Sequence, residues 1–190
     1  MELIEVIKER RSTREFSIEP IKKELIEQII DSARLAPSAK NRQNWLYIVV
    51  EKETKDKVAN IMFEQHQENI EKLVSDGATL PHRAASSVLN SIRVIKEAPI
   101  LILAFRKYDK DWTEGDFLSM GASIENLCLR AADLELGTLW IRDVIFAREE
   151  ITKYIADDSL ELVSGIAVGY STEWPYEKKK KELKDILIWK

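Results

Sequence analysis

Arg10-Arg11-Ser12-Thr13-Arg14-Glu15-Phe16 sets three guanidinium groups and two hydroxyls in one short stretch. It follows Leu3, Ile4, Val6 and Ile7, whose spacing among charged residues predicts a short amphipathic helix. Arginine presents a planar fork of donors that matches phosphate oxygens, and a chain turning out of a helix adds backbone N–H groups and the Ser12 hydroxyl. Ser12-x-x-Glu15 also fits a capping box at the start of a helix, with the arginines as solvated surface. Such a helix would have to end before Pro20, because proline disfavours helical backbone in the residue ahead of it. That short reach puts an anion grip ahead of a cap.

Outward from this box, a helix is expected from Lys22 to Leu35, with Leu25, Ile29 and Ala33 on one stripe and Ile26 and Ile30 beside it. Pro37 stops it. A polar loop, Ala36 to Trp45, then feeds Leu46 to Val50, an apolar run that reads as a buried strand. Thr54 to Val74, carrying Val58, Ile61, Met62 and Leu73, reads as a helix, as does Arg83 to Glu97 through Val88, Ile92 and Ile95; Ser75 to Pro81 breaks them apart, and the pair is a candidate lid. Pro99 to Phe105 is short and dense in β-branched residues and leucine, which predicts a central strand.

Between Gly115 and Leu136 apolar residues spread nearly all round the helical wheel, and a helix apolar on every side must be buried on every side. In a domain of this size, packing against a second subunit is one way to achieve that. Gly137 is expected to stop the helix in the left-handed conformation, ahead of a strand at Thr138 to Ile141. Ala147 to Ile155 reads as a short helix. Leu160 to Tyr170 reads as a strand in which Gly165 and Gly169 mark close backbone approach or bulging. Past Pro175 come Lys178 to Lys181 and then Ile186-Leu187-Ile188-Trp189, apolar residues that need a partner to cover them.

With 190 residues, 45% of them hydrophobic, and no repeat or linker, a single domain over residues 1–190 is expected. The net charge of −4, from 33 acidic and 29 basic residues, gives no general field for nucleic acid or an anionic membrane. Any bound anion is therefore held locally. Cys128 is the sole cysteine, and His66 and His82 are the only histidines, which leaves no Cys/His metal cluster and no intrachain disulfide. Charged residues interrupt the N-terminus and the longest apolar run, Ala98 to Phe105, is too short for a membrane span, so a soluble, cytoplasmic protein is expected.

Four motifs in series carry a resemblance: Arg10 to Phe16; the loop Ala36-Pro37-Ser38-x-x-Asn41-x-Gln43-x-Trp45; the helix Gly121-Ala122-Ser123-Ile124-Glu125-Asn126-Leu127 running into Leu136-Gly137-Thr138-Leu139-Trp140-Ile141; and Gly169-Tyr170 ahead of a basic tail. Their order and spacing resemble the flavin-dependent nitroreductase family along nearly the whole chain. The resemblance implies an α+β domain with a mostly antiparallel sheet flanked by helices, in an intertwined homodimer with two FMN sites at the interface. It implies that Arg10, Arg11 and Ser12 hold the FMN phosphate and that Arg14 reaches the ribityl chain or the pyrimidine edge of the ring. Pro37, Ser38, Ala39 and Asn41 would come from the partner subunit, with Gln43 nearby. Lys178 and Lys180 map to the basic residues that close the phosphate site. Ile141, Arg142 and Asp143 fall at the strand end whose backbone approaches flavin N5, where many members carry a small residue. The segment between Phe105 and Gly115 is short, which leaves Tyr108, Trp112 and residues 62–95 as covers for the substrate pocket.

The activity so implied is an oxidoreductase in which FMN takes hydride from NADH or NADPH and passes electrons to a nitroaromatic, a quinone or a related small molecule. No side chain is assigned as catalytic. Flavin N5 carries the chemistry, and the protein positions it and stabilises the negative charge of the reduced ring, with Arg14 as the candidate. No Gly-x-Ser-x-Gly elbow, P-loop or dinucleotide-binding glycine motif offers another chemistry. Residues 62–95 also lack the tyrosine on which iodotyrosine-dehalogenating relatives depend. The alternative class is a flavin-binding storage or sensor protein that no nicotinamide reduces.

Overall fold

A computed structural model of the chain describes residues 2–75, 82–173, 175 and 178–190, without the side chains of 72–74 and 82–85. Its strands are β1 (Trp45–Glu51), β2 (Ile100–Lys107), β3 (Gly137–Ile141) and β4 (Leu160–Gly169), paired antiparallel throughout in the order β1-β2-β4-β3. Around them lie α1 (Leu3–Glu9), α2 (Lys23–Arg34), α3 (Lys52–Ser75), α4 (His82–Glu97), α5 (Thr113–Asp133) and α6 (Arg148–Ile155).

The alternation of β2 explains the layering. Leu101, Leu103 and Phe105 enter one core, against Val58, Ile61 and Met62 of α3 and Val88, Ile92 and Ile95 of α4. Ile100, Ile102 and Ala104 enter the other, against Ile26, Ile29 and Ala33 of α2 and Met120, Ile124 and Leu127 of α5. Successive strand residues point to opposite faces, so a strand apolar at every position is stable only with helices on both sides. The expected α+β arrangement, an antiparallel sheet flanked by helices, is the one formed.

Several local expectations are corrected. No helix starts at Ser12; the chain there is extended, Ser12 bridging to Thr138 and Phe16 to Ser171, so the capping-box reading is overturned. Leu46 to Val50 is not a buried strand: β1 pairs only with β2, and as an edge strand it leaves Leu46 and Val49 exposed. Gly137 does not stop α5; Glu135, with φ of 60°, takes the left-handed position, and Gly137 already belongs to β3. Glycine is needed there because a Cβ would fall 2.5 Å from Thr13 Oγ1. In β4 the extra residue is Val163, since Ala104 pairs with Ser164 and Phe105 with Leu162. Gly169 is instead a close approach, where a Cβ would meet Phe16 at 2.7 Å and Pro99 at 2.8 Å.

The α3–α4 pair is core at its base, where Val58, Ile61, Met62, Val88, Ile92 and Ile95 complete the first core. Its break at 76–81 and the Leu73 side chain lie outside the described residues. Within one chain α5 is not covered on all sides: Phe117 is exposed and Leu118 is 77% exposed. Among the described residues no helix is long and apolar enough to cross a membrane, and no group of three or more His, Cys, Asp or Glu is placed to hold a metal ion.

Candidate functional site

After α1 the chain joins the outer edge of β3, Thr13 N–H donating to the Thr138 carbonyl at 2.9 Å. Thr13 is buried against Gly137, so its neighbours Ser12 and Arg14 face the opposite way, as alternation in extended chain requires. Arg14 Nη1 donates to the Ser12 carbonyl at 3.0 Å, and Arg11 Nη1 to the carbonyls of Lys8 and Arg10. Arg10 Nε lies 3.3 Å from Glu125 of α5. Arg93 of α4 pairs with Glu15 at 3.0 Å and steadies the far end of the box.

The C-terminal segment returns to this place. Lys8, Arg10, Arg11, Ser12, Arg14, Lys178 and Lys180 line one cavity of 320 Å³ together with Ile7 and Pro175. Six cations and a hydroxyl around a single cavity suit an anion, because their positive potentials add there. Arg11 Nε is buried with no hydrogen-bond partner, a donor left for a ligand oxygen to satisfy. A phosphate monoester fits this donor set. Arg10, Arg11, Ser12, Arg14, Lys178 and Lys180 are thus brought together as the sequence predicts.

Pro37, Ser38, Ala39, Asn41 and Gln43 do not line that cavity. They form a tight loop with a 3₁₀ turn at Ala39–Asn41 and left-handed backbone at Lys40, Asn41 and Gln43 (φ 52°, 55° and 46°). For residues other than glycine that conformation costs about 1 kcal/mol each, so something must hold it. Gln43 N–H donates to Ser38 Oγ and Ala39 N–H to Ser119 Oγ, both at 3.1 Å, while Gln43 Nε2 donates to Asn41 Oδ1 at 3.0 Å. Arg42 reaches Asp116 at 3.1 Å and Asp109 at 3.0 Å, and these carboxylates hold its guanidinium pKa above the ordinary value.

At the end of β3, Ile141 is buried and its carbonyl accepts from Ser164 Oγ at 2.9 Å, while Arg142 is exposed. The Asp143 carboxylate turns to α4, accepting from Ser87 Oγ at 3.1 Å and Ser91 Oγ at 2.8 Å. Beside Arg142 lies a second cavity of 640 Å³, walled by Phe117, Gly121, Trp140, Ile145 and Arg148. Tyr108 and Trp112, expected over a pocket, instead lie within cation–π distance of Arg106 (5.5 Å) and Arg42 (4.9 Å).

Sequence reasoning missed the ion network beneath the loop. Arg106 is buried and pairs with Glu161 and with Asp116, a carboxylate of zero exposure that Arg42 also grips. A signal was present: alternation from Ile102 and Ala104 puts Arg106 on the α5 face, where a charge needs a carboxylate.

The family model that matches the chain, over residues 7–170, is that of the nitroreductase family. An archaeal relative from Archaeoglobus fulgidus, provisionally named an NADH dehydrogenase/NAD(P)H nitroreductase, is 29% identical over 89% of this chain and 85% of its own length. The 4-nitrobenzoate reductase of Pseudomonas putida is also 29% identical, over 88% and 85% of the two chains. Among solved structures, a BluB-like flavoprotein from Clostridium difficile 630 superposes with a TM-score of 0.87 at 26% identity, covering 100% of this chain and 99% of that one. A family match that spans the arginine box, the loop, α5 and all four strands, joined to this fold and this anion cavity, has one reading: the chain belongs to the nitroreductase family.

Proposed function

We propose that this chain is an FMN-dependent oxidoreductase, one domain of a homodimer, that draws reducing equivalents from NADH or NADPH and passes them to a nitroaromatic, a quinone or a related small acceptor. The observation that carries the reading is the return of Lys178 and Lys180 to the arginine box around a cavity with an unpartnered Arg11 Nε. When bound, FMN supplies the hydride-accepting centre. Arg10, Arg11, Ser12 and the two lysines hold its phosphate. Arg14 neutralises charge nearer the ring, where a fixed cation costs no reorganisation. The backbone of Ile141, Arg142 and Asp143 would flank the ring, and Phe117 and Trp140 would give a planar acceptor an aromatic face beside Arg142.

The loop Pro37 to Gln43 would serve the partner's flavin, a reading supported by its residues lining no part of its own chain's cavity. A second chain also covers what one leaves bare: Leu3, Ile4 and Ile7 on α1, Leu118 on α5, and the tail from Ile186 to Trp189, with Ile188 81% and Trp189 88% exposed. The tail suits the open edge of the partner's β1, which lies beside a groove of 580 Å³ containing Ile26, Ile30, Tyr47 and Val49. A cytoplasmic location fits a chain whose only cysteine, Cys128, is buried.

The deciding experiment is the absorbance spectrum of the purified protein, then anaerobic addition of NADH or NADPH. A flavin spectrum bleached by either donor is expected. A flavin spectrum that neither donor bleaches would favour the storage or sensor alternative, and failure to bind FMN at all would overturn the reading.

A further inference from the structure

We propose that Arg42 is a positioning residue for the cofactor site, locking the Pro37–Gln43 loop in the one shape that meets the flavin. The inference rests on the functional reading above and extends it to a residue of the loop that is assigned no contact with the flavin. Pro37, Lys40, Asn41 and Gln43 are exposed, so core packing does not hold the three left-handed residues in place. Beyond the loop's own hydrogen bonds, what ties it to the core is α5. Arg42 reaches Asp116, and Ala39 N–H reaches Ser119 Oγ, two anchors on neighbouring turns of one helix face. The Asp116 anchor is itself fixed from behind, because Arg106 grips the same carboxylate and is held in turn by Glu161. The Arg42 guanidinium also sits over the Trp112 ring, which sets its plane. A loop ordered in advance spares the bound ligand the cost of ordering it, so affinity depends on a residue that lines no part of the anion cavity. Lysine at position 42 keeps the charge but loses the fork that spans Asp116 and Asp109.

The test compares the holoprotein with Arg42→Lys and Ser119→Ala, following FMN release by flavin fluorescence on dilution. Melting, dimer mass and the visible circular dichroism of bound FMN are measured alongside. FMN affinity is expected to fall about tenfold in Arg42→Lys and in the same direction in Ser119→Ala, as loss of one charge-assisted or one neutral hydrogen bond implies. The dichroism of the bound flavin changes in both, while folding and dimer mass are retained. Should Arg42→Lys not fold, Ser119→Ala decides. A folded variant with wild-type affinity and wild-type dichroism overturns the proposal, as does affinity loss that appears only with loss of the folded dimer in both variants. Wild-type protein that binds no FMN overturns the functional reading itself, a separate result.

Discussion

Gly137→Ala probes the contact that joins the anion box to the sheet. The new Cβ would lie 2.5 Å from Thr13 Oγ1 and 2.8 Å from both Thr13 Cβ and Cγ2, well inside the roughly 3.5–4.0 Å at which carbon atoms rest. Thr13 is 2% exposed and its N–H is bonded to the Thr138 carbonyl, so it has little room to yield. Turning its side chain off a favoured rotamer costs about 0.5–1.5 kcal/mol. Parting the two backbones gives up a hydrogen bond worth about 1 kcal/mol. By either route the expected loss is about 1 kcal/mol, at the low end of the roughly 1–3 kcal/mol usual for overpacking. In a chain of this length each kcal/mol lowers the melting temperature by about 2–4 °C. Because Ser12 and Arg14 flank Thr13 and line the cavity, FMN should also be released faster. Thr13→Ala in the same protein removes Oγ1 and Cγ2 and should restore part of both losses. Thermal unfolding and fluorescence-detected FMN release provide the measurements, and a Gly137→Ala protein with wild-type melting and wild-type FMN retention refutes the reasoning.

Arg14→Ala should leave the chain folded and weaken FMN binding about tenfold to a hundredfold, the worth of one charge-assisted hydrogen bond; a titration showing unchanged affinity would sink it. Burial pushes the Cys128 thiol up to about 11 from 9.0, so the folded state favours the neutral thiol. Its contribution is full below pH 9 and lost as pH rises toward 11, and Cys128→Ala should flatten the decline between pH 9 and 10, ahead of Tyr47, whose hydroxyl burial raises to about 12. Equal slopes for the two proteins would contradict this. Asp143→Asn should leave the FMN midpoint potential unchanged, because the carboxylate is engaged by Ser87 and Ser91; a raised potential in spectroelectrochemical titration would show that it acts on the flavin.

The elements were legible because their periods are local properties. The run Pro99 to Phe105 reads as a central strand from its composition, and β2 is buried on both faces. What failed was non-local. Whether Leu46 to Val50 lies inside a sheet or at its edge depends on strand order, which no single segment encodes. The glycine after α5 was read as a helix stop because glycine tolerates left-handed backbone, whereas its cause is the Thr13 side chain, distant in sequence. In the candidate site, the box and the two lysines line one cavity, and they are legible in the sequence because charge in a known order of motifs is visible. The pairing of Arg42 and Arg106 with Asp116 was not, because charged residues normally read as solvated surface and their shared partner lies on another element.

Helix α5 also says how two chains should meet. Glu125, which pairs with Arg10 of the box, and Asp116 and Ser119, which hold the loop, are separated by roughly 9–14 Å along its axis at 1.5 Å per residue. Within one chain, loop and box are therefore anchored apart along one helix. Two α5 helices packed antiparallel about a twofold axis would bring one chain's loop toward its partner's box, provided the axis passes midway between those anchors, at Gly121 or Ala122. That position suits close approach: a Cβ at Gly121 meets no other atom within 4 Å, Ala122 is small, and Leu118 stands exposed one turn away. A twofold contact of this kind is self-complementary and closes at two copies. Ala122→Cys should then form an oxidative crosslink with its own copy, since Cys128 is buried and does not compete, whereas Lys153→Cys on the remote helix α6 should not. A dimer that fails to crosslink at 122, or that crosslinks equally at 153, places the axis elsewhere and removes the loop from the partner's flavin.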